Sequence, residues 1–136
     1  MKVVIDTNVI VSGLLNPYRH PAEILRLLLT GSLKLFYDAR IISEYSEVLN
    51  RSKFQFDKEN ISIFVKEIET AGTPVIPLPL KKSLPDPDDN MFLEAALAGN
   101  AECIITGNTN HYPKKLCSGI RVLSPTEFVS YYQQSK

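Results

Sequence analysis

The chain has 136 residues, of which 44% are hydrophobic and 22% are charged, a composition typical of a globular protein with one domain over residues 1–136. Fifteen basic residues balance fifteen acidic ones, so the net charge does not itself indicate a nucleic-acid-binding protein. The two cysteines form neither a disulfide framework nor a metal-binding pattern, and we find no secretory signal and no apolar run of about 20 residues. These features favour a cytoplasmic protein.

Short β-rich runs alternate with helical patterns, which predicts βαβ units around a mostly parallel sheet. The predicted strands show little polar alternation, as expected when helices cover both faces of a sheet. Residues 73–80 contain three prolines and are predicted to form a short edge strand at best, followed by a connector. The remaining strands are predicted at 2–5, 33–37, 101–106 and 120–123. The fold class is therefore α/β, a three-layer α/β/α sandwich.

Helical periodicity accounts for most of the chain between these strands. Residues 6–8 read as a turn or helix cap, and residues 85–90 as a turn that leads into a helix. The predicted helices cover about 21–31, 41–50, 57–72 and 90–99, and a closing helix begins at 124–125.

Acidic residues stand just beyond the carboxyl ends of predicted strands, where a doubly wound sheet gathers its ligands. Asp6 follows the first strand, Glu44 lies early in the helix after the second, and Asp86, Asp88 and Asp89 precede a further helix. If the sheet is parallel, these segments converge, and crowded carboxylates raise one another's pKa. A divalent cation relieves that repulsion, and oxygen ligands favour Mg²⁺ or Mn²⁺ over zinc.

Each acidic residue also has an ordinary structural interpretation. Asp6 could be a turn residue or helix cap, Glu44 a solvated helix carboxylate, and the later aspartates partners of a helix dipole. Residues 86–90 also resemble the start of an EF-hand calcium loop, but that loop needs Gly and Glu where this chain has Met91 and Leu97. The calcium-loop interpretation is therefore excluded.

Four motifs stand in order along the chain, at residues 4–9 (VIDTNV), 42–45 (ISEY), 86–96 and 104–108 (IITGN). In the same order, they resemble motifs of PIN-domain nucleases. The first resembles the family's opening, the second and third its next two acidic sites, and the fourth its strand that ends in Thr-Gly-Asp. The resemblance covers residues 1 to about 128 and is closest to toxin components of bacterial toxin–antitoxin pairs.

The resemblance implies a PIN-like fold and Mg²⁺- or Mn²⁺-dependent hydrolysis of phosphodiester bonds in RNA. It implies Asp6 and Asp89 as direct or water-bridged metal ligands, and Glu44 as a residue that orients them or helps to hold a second metal. The candidate partners are RNA, an antitoxin protein and a second copy of the chain, with no membrane. Supporting roles fall to Thr7, Asn8, Asp86, Asp88, Thr106 and Asn108.

Two positions depart from a simple match to the family. Asp89 is favoured over Asp86 and Asp88, because the family aspartate is followed by one unconstrained residue and then two apolar ones. Asn108 stands where most of the family has a fourth aspartate, and it offers a carbonyl oxygen without a charge.

Other residues keep two interpretations each. Arg19, His20, Lys114 and Lys115 could contact phosphates or be ordinary surface residues. Tyr112, next to His111, could stack on a base or be a partly buried loop aromatic.

Two other functions remain open from the residues alone. One is a PIN-fold module that binds RNA or protein and has lost useful metal binding through Asn108. The other is a small-molecule phosphohydrolase that uses the same acidic edge. A covalent aspartyl-phosphate mechanism is disfavoured, because residues 6–8 lack a second Asp two residues after Asp6.

Overall fold

The computed structural model describes residues 1–135, which contain five strands and six α-helices. The strands are β1 (Lys2–Ile5), β2 (Lys34–Tyr37), β3 (Thr73–Pro74), β4 (Cys103–Ile105) and β5 (Arg121–Leu123). The helices are α1 (Thr7–Leu15), α2 (His20–Leu29), α3 (Ala39–Leu49), α4 (Lys58–Ala71), α5 (Asn90–Gly99) and α6 (Pro125–Gln134).

The five strands form one parallel sheet in the order β3-β2-β1-β4-β5. Crossover connections between parallel strands are right-handed, so the helices that lead from β1 to β2 and from β2 to β3 cover one face. The chain then reverses direction, and α5 packs against β1, β2 and β4 from the opposite face. The predicted α/β/α sandwich with a parallel sheet is confirmed.

The core lies on both faces of the central strands. Val3, Val4 and Ile5 of β1 are fully buried, as are all three residues of β4. This explains why these runs lack polar alternation, since a strand covered on both faces has no solvent side. Cys103, in β4, is a buried free thiol. None of the helices within residues 1–135 combines the length and apolar composition needed to span a membrane.

The edge strand β3 is shorter than the run from which it was predicted. Thr73 and Pro74 pair with Phe36 and Tyr37, and the next bond in the ladder runs from Val75 N–H to Tyr37 O at 2.8 Å. Regular pairing ends there, in agreement with the prediction of a short edge strand followed by a connector.

Helix α1 is the main element that the sequence pattern did not reveal. It begins directly after Asp6, whose backbone occupies the cap position while its side chain makes no capping hydrogen bond. Because α1 has buried residues on most of its surface, its apolar residues lack the one-sided spacing by which an amphipathic helix is detected. Asp6 thus stands at the start of a helix, as its preference for turns and helix caps predicts.

Tyr45 connects α3 to the end of β1. Its ring is fully buried, and its hydroxyl donates a hydrogen bond to the carbonyl oxygen of Ile5, the residue before Asp6. Burial raises the pKa of Tyr45 well above its ordinary value, so this hydroxyl remains a donor over the whole accessible pH range. The contact fixes α3 against the strand that carries Asp6.

We expect Tyr45→Phe to lower the free energy of unfolding by about 1–2 kcal/mol, because the carbonyl oxygen of Ile5 then loses the hydrogen bond from the Tyr45 hydroxyl. Urea unfolding of the metal-free protein measures this value. Tyr131→Phe is the matched control, since the Tyr131 hydroxyl is partly exposed and lies 3.4 Å from Glu102; its cost should stay below about 0.5 kcal/mol. Equal losses for the two variants would show that the Tyr45 hydroxyl contributes nothing specific.

Candidate metal centre

Asp6 lies at the point where the strand order reverses, between the carboxyl ends of β1 and β4. The chain leaves these two strands toward opposite faces, which opens a crevice at the end of the sheet. The Asp6 side chain is 7% exposed, and its Oδ2 accepts hydrogen bonds from Thr106 Oγ1 at 2.9 Å and Tyr112 Oη at 3.1 Å. Burial raises the pKa of Asp6 above 3.8, although both hydrogen bonds oppose that rise.

Residues after β4 continue this arrangement. Thr106 is fully buried, and its hydroxyl oxygen accepts a hydrogen bond from Asn108 N–H at 3.0 Å. The backbone N–H of Gly107 donates to Asn8 Oδ1 at 3.0 Å. Thr106 and Asn8 therefore join the segment after β4 to the start of α1. The side chain of Asn108 is exposed.

Glu44 approaches the same crevice from the second turn of α3. Thr7, the first residue of α1, donates a hydrogen bond from its hydroxyl to Glu44 Oε2. Burial raises the pKa of Glu44, the bond from Thr7 lowers it, and the charges of Asp6 and Asp88 raise it further. Glu44 therefore interacts electrostatically with both other acidic segments.

The third acidic segment forms a short 3-10 helix, Pro87–Asp89, that leads into α5. Asp86 and Asp88 are exposed, and Asp86 Oδ1 accepts a hydrogen bond from Asp88 N–H at 2.9 Å. Asp89, in contrast, is only 8% exposed. Burial therefore favours Asp89 over its neighbours for the metal-ligand role, while Asp86 caps the short helix.

Asp89 lies beside an imidazole, whereas hydroxyl groups contact Asp6 and Glu44. Its Oδ2 lies 3.2 Å from His111 Nδ1 but lacks the alignment of a hydrogen bond, so this buried oxygen has no hydrogen-bond partner within residues 1–135. Burial first, and then the charges of Asp6 and Asp86, raise the pKa of Asp89 to about 6, while His111 opposes the rise. A buried carboxylate oxygen without an aligned donor is a candidate position for binding an ion or a water molecule.

The described residues bring one group of three possible metal ligands together. Ligand atoms of Asp86, Asp89 and His111 all lie within 4.8 Å of one another, and Asp6 and Glu44 do not belong to this group. The charge of Asp6 nevertheless raises the pKa of both Asp89 and Glu44. That Asp6, Glu44 and Asp89 hold one ion stays a prediction.

His111 and Tyr112 took on roles that the sequence did not indicate. The suggestion that Tyr112 stacks on a base is wrong, because the ring is 3% exposed and its hydroxyl is bound to Asp6. His111 ends the short helix Thr109–His111 and so reaches Asp89. The only sequence signal for these roles was that His111 and Tyr112 follow soon after β4, the strand that ends at the crevice.

Basic residues near the centre fall into two groups. Arg40 lies in a hollow with Glu44 and Asp88, but its guanidinium is bound to Asp38 at 2.7 Å and Glu94 at 2.8 Å. The four cations proposed from the sequence, Arg19, His20, Lys114 and Lys115, are all exposed.

A divalent cation fits this donor set. Each of the three principal carboxyl groups has a raised pKa, so each is costly to ionise without a compensating positive charge. The donors are mainly carboxylate oxygens, which suit Mg²⁺ and Mn²⁺, and the unpaired oxygen of Asp89 provides a free lone pair.

Comparison with known proteins agrees with the geometry. Residues 2–110 match the sequence profile of the PIN domain, a range that contains all the acidic residues described above. An uncharacterized protein of Methanocaldococcus jannaschii is 26% identical over 144 aligned positions, which cover 98% of this chain and 93% of that protein. The chain therefore belongs to the PIN-domain family, whose members are in general metal-dependent nucleases that bind nucleic acids.

Proposed function

We propose that this protein is an endoribonuclease that uses Mg²⁺ or Mn²⁺ to hydrolyse phosphodiester bonds in single-stranded RNA. The observation that carries the proposal is the group of three carboxyl groups with raised pKa at the crevice, one of which has a buried oxygen without a partner. A purely structural cluster would be expected to pair its buried oxygens.

Asp6 and Asp89 would hold the metal directly or through water. Glu44 would orient these ligands or help to hold a second ion. When bound, the ion supplies Lewis-acid activation of a water and neutralises charge on the phosphoryl group. Hydrogen bonds from Thr106 and Tyr112 orient the Asp6 carboxylate, and a hydrogen bond from Thr7 orients the Glu44 carboxylate. These carboxylates are therefore oriented before substrate binds. Asn8 and Asn108 would contact the RNA backbone or ordered water.

The finer assignments rest on the resemblance to toxin components. We propose that the protein is the cytoplasmic toxin of a toxin–antitoxin pair, formed by a single domain over residues 1–136, with a homodimer as a further candidate state. A short neighbouring reading frame that encodes a DNA-binding protein would support the toxin role. Growth unaffected by expression of the active chain would count against it.

Asp6→Asn should lower RNA cleavage by at least about a hundredfold, because it removes one negative charge from the metal shell. Cleavage of defined single-stranded RNAs with Mg²⁺ or Mn²⁺ measures the change. Asp57→Asn is the matched control, since Asp57 caps the exposed start of α4 and Asn caps equally well. RNA that is bound but never cleaved by the wild-type protein would favour the binding-module alternative, and cleavage of small phosphate esters alone would favour the phosphohydrolase.

Stability and metal binding should both depend on the ionisation of Asp89. The folded-state pKa of Asp89 is about 6, above the ordinary 3.8, so folding favours its protonated form. The stability that this preference contributes is fully present below about pH 4 and is lost as pH rises through about 6. The stability of the wild type relative to Asp89→Asn should therefore fall across this window in metal-free buffer.

Added Mg²⁺ or Mn²⁺ should reverse this trend, because the metal binds the ionised carboxylate in place of the proton. The metal-dependent rise in Tm should be small near about pH 5 and larger near about pH 7.5. Thermal melts of the wild type and Asp89→Asn across this range test both statements. A metal-dependent rise that ignores pH, or that survives in Asp89→Asn, would exclude Asp89 as a ligand.

Asn108→Asp should tighten metal binding and slightly destabilise the metal-free protein, because it adds a negative charge near the cluster. Added metal would then raise the Tm of the variant more than that of the wild type. Asn110→Asp makes the same change of charge at an exposed position two residues away and serves as the control. Equal metal responses for the wild type and Asn108→Asp would show that position 108 matches the fourth family acid in sequence only.

A further inference from the structure

Tyr18 is the most exposed large apolar side chain in the described chain, at 93%. It lies in the loop between α1 and α2 and lines a hollow of about 500 Å³ together with Arg19, His20 and Glu23. The ring adds little to the packing of the fold, and its π face is open for a base to stack on it.

The loop that carries Tyr18 is held by specific hydrogen bonds. The backbone N–H of Tyr18 donates to Asn16 Oδ1 at 3.0 Å, and Arg26 Nη1 of α2 donates to the carbonyl oxygen of Pro17 at 3.2 Å. The ring is therefore presented by a fixed backbone, which lowers the entropy that a ligand must overcome on binding.

This hollow leads toward the acidic centre. Pro21 and Pro125 line it, and the same two prolines line a second hollow of about 250 Å³. The second hollow reaches Asn8 and Gly107, the two residues joined by a hydrogen bond beside Asp6 and Thr106. The two hollows therefore adjoin at these prolines, and together we call them the groove, with Tyr18 at one end and Asn8 and Gly107 at the other.

The charges along the groove suit a nucleotide. Within residues 1–135 the guanidinium of Arg19 has no ion-pair or hydrogen-bond partner, so it is free to bind a phosphate. His20 Nδ1 lies 3.8 Å from Glu23 Oε1, and the carboxylate of Glu23 disfavours a phosphate inside the hollow itself. This arrangement favours a base against the ring and a phosphate at the rim.

We propose that Tyr18 stacks on one base of a single-stranded RNA whose scissile phosphate lies at the acidic centre, with Arg19 contacting the adjoining phosphate. The inference rests on the proposed function and adds a binding site for a nucleotide on one side of the cleaved bond. Stacking requires an unpaired base, because bases in an RNA duplex do not expose their faces. Aromatic stacking is also tolerant of base identity, so the site selects single strands more than sequences.

The test pairs protein variants with RNAs that lack one base. The probe is an oligoribonucleotide of about ten residues with one mapped cleavage position, in which each nucleoside is replaced in turn by an abasic one. Binding is measured with Asp6→Asn, so that the RNA stays intact. One abasic position should weaken binding by about tenfold, and Tyr18→Ala should weaken binding of the complete RNA equally and make that position insensitive.

Three further variants separate stacking from other effects. Tyr18→Phe keeps the ring and should bind normally, whereas Tyr18→Leu keeps apolar bulk without a π face and should behave like Tyr18→Ala. Leu78→Ala removes another exposed apolar side chain, outside the groove, and should leave RNA binding unchanged. In the active protein Tyr18→Ala should raise KM by about tenfold and leave kcat within about twofold, because the contact is remote from the reacting atoms.

The outcomes distinguish this proposal from the one on which it rests. If the wild-type protein neither binds nor cleaves single-stranded RNA, both are overturned. If it cleaves RNA but Tyr18→Ala binds and cleaves like the wild type, only the stacking site is overturned. The same holds if Tyr18→Leu restores binding, or if Tyr18→Ala weakens binding without altering the sensitivity to any abasic position.

Discussion

The hydrogen bond from Thr106 to Asp6 joins the two central strands at the point where the sheet reverses its strand order. Asp6 ends β1 and Thr106 follows β4, so the contact depends on the parallel pairing of these strands and on their shared carboxyl edge. Tyr112 supplies a second donor to the same oxygen from the segment beyond β4. The position of the Asp6 carboxylate is thereby tied to the register of the sheet.

Hydroxyl groups donate hydrogen bonds to two of the three carboxylates near this bond. Thr106 and Tyr112 donate to Asp6, and Thr7 donates to Glu44, while Asp89 Oδ2 lies near His111 without an aligned hydrogen-bond donor within residues 1–135. Neutral donors can orient a carboxylate without cancelling its charge, which explains why the pKa of each acid remains raised. Each of these acids is therefore costly to ionise in the metal-free chain, and the proposed cation would lower that cost.

The sequence predicted the sheet well because the core strands are buried on both faces, which leaves uninterrupted apolar runs such as residues 2–5 and 103–105. It also singled out the acidic segments as candidates, because Asp6 follows a strand, Glu44 lies early in a helix and residues 86–89 precede one. It did not predict α1, whose apolar residues surround the helix instead of lying along one side. His111 and Tyr112 were missed for a different reason: their partners lie about 20 and 100 residues away, and no local pattern encodes such contacts.

Pro74 has a consequence for how copies of this chain can meet. Thr73 and Val75 face β2, so Pro74 occupies the position of β3 whose backbone points outward from the sheet. Proline has no N–H, and the outer rim of β3 therefore offers no donor there to an added strand. Pairing of an added strand along the β3 edge is therefore disfavoured, which protects this edge of the sheet against edge-to-edge aggregation.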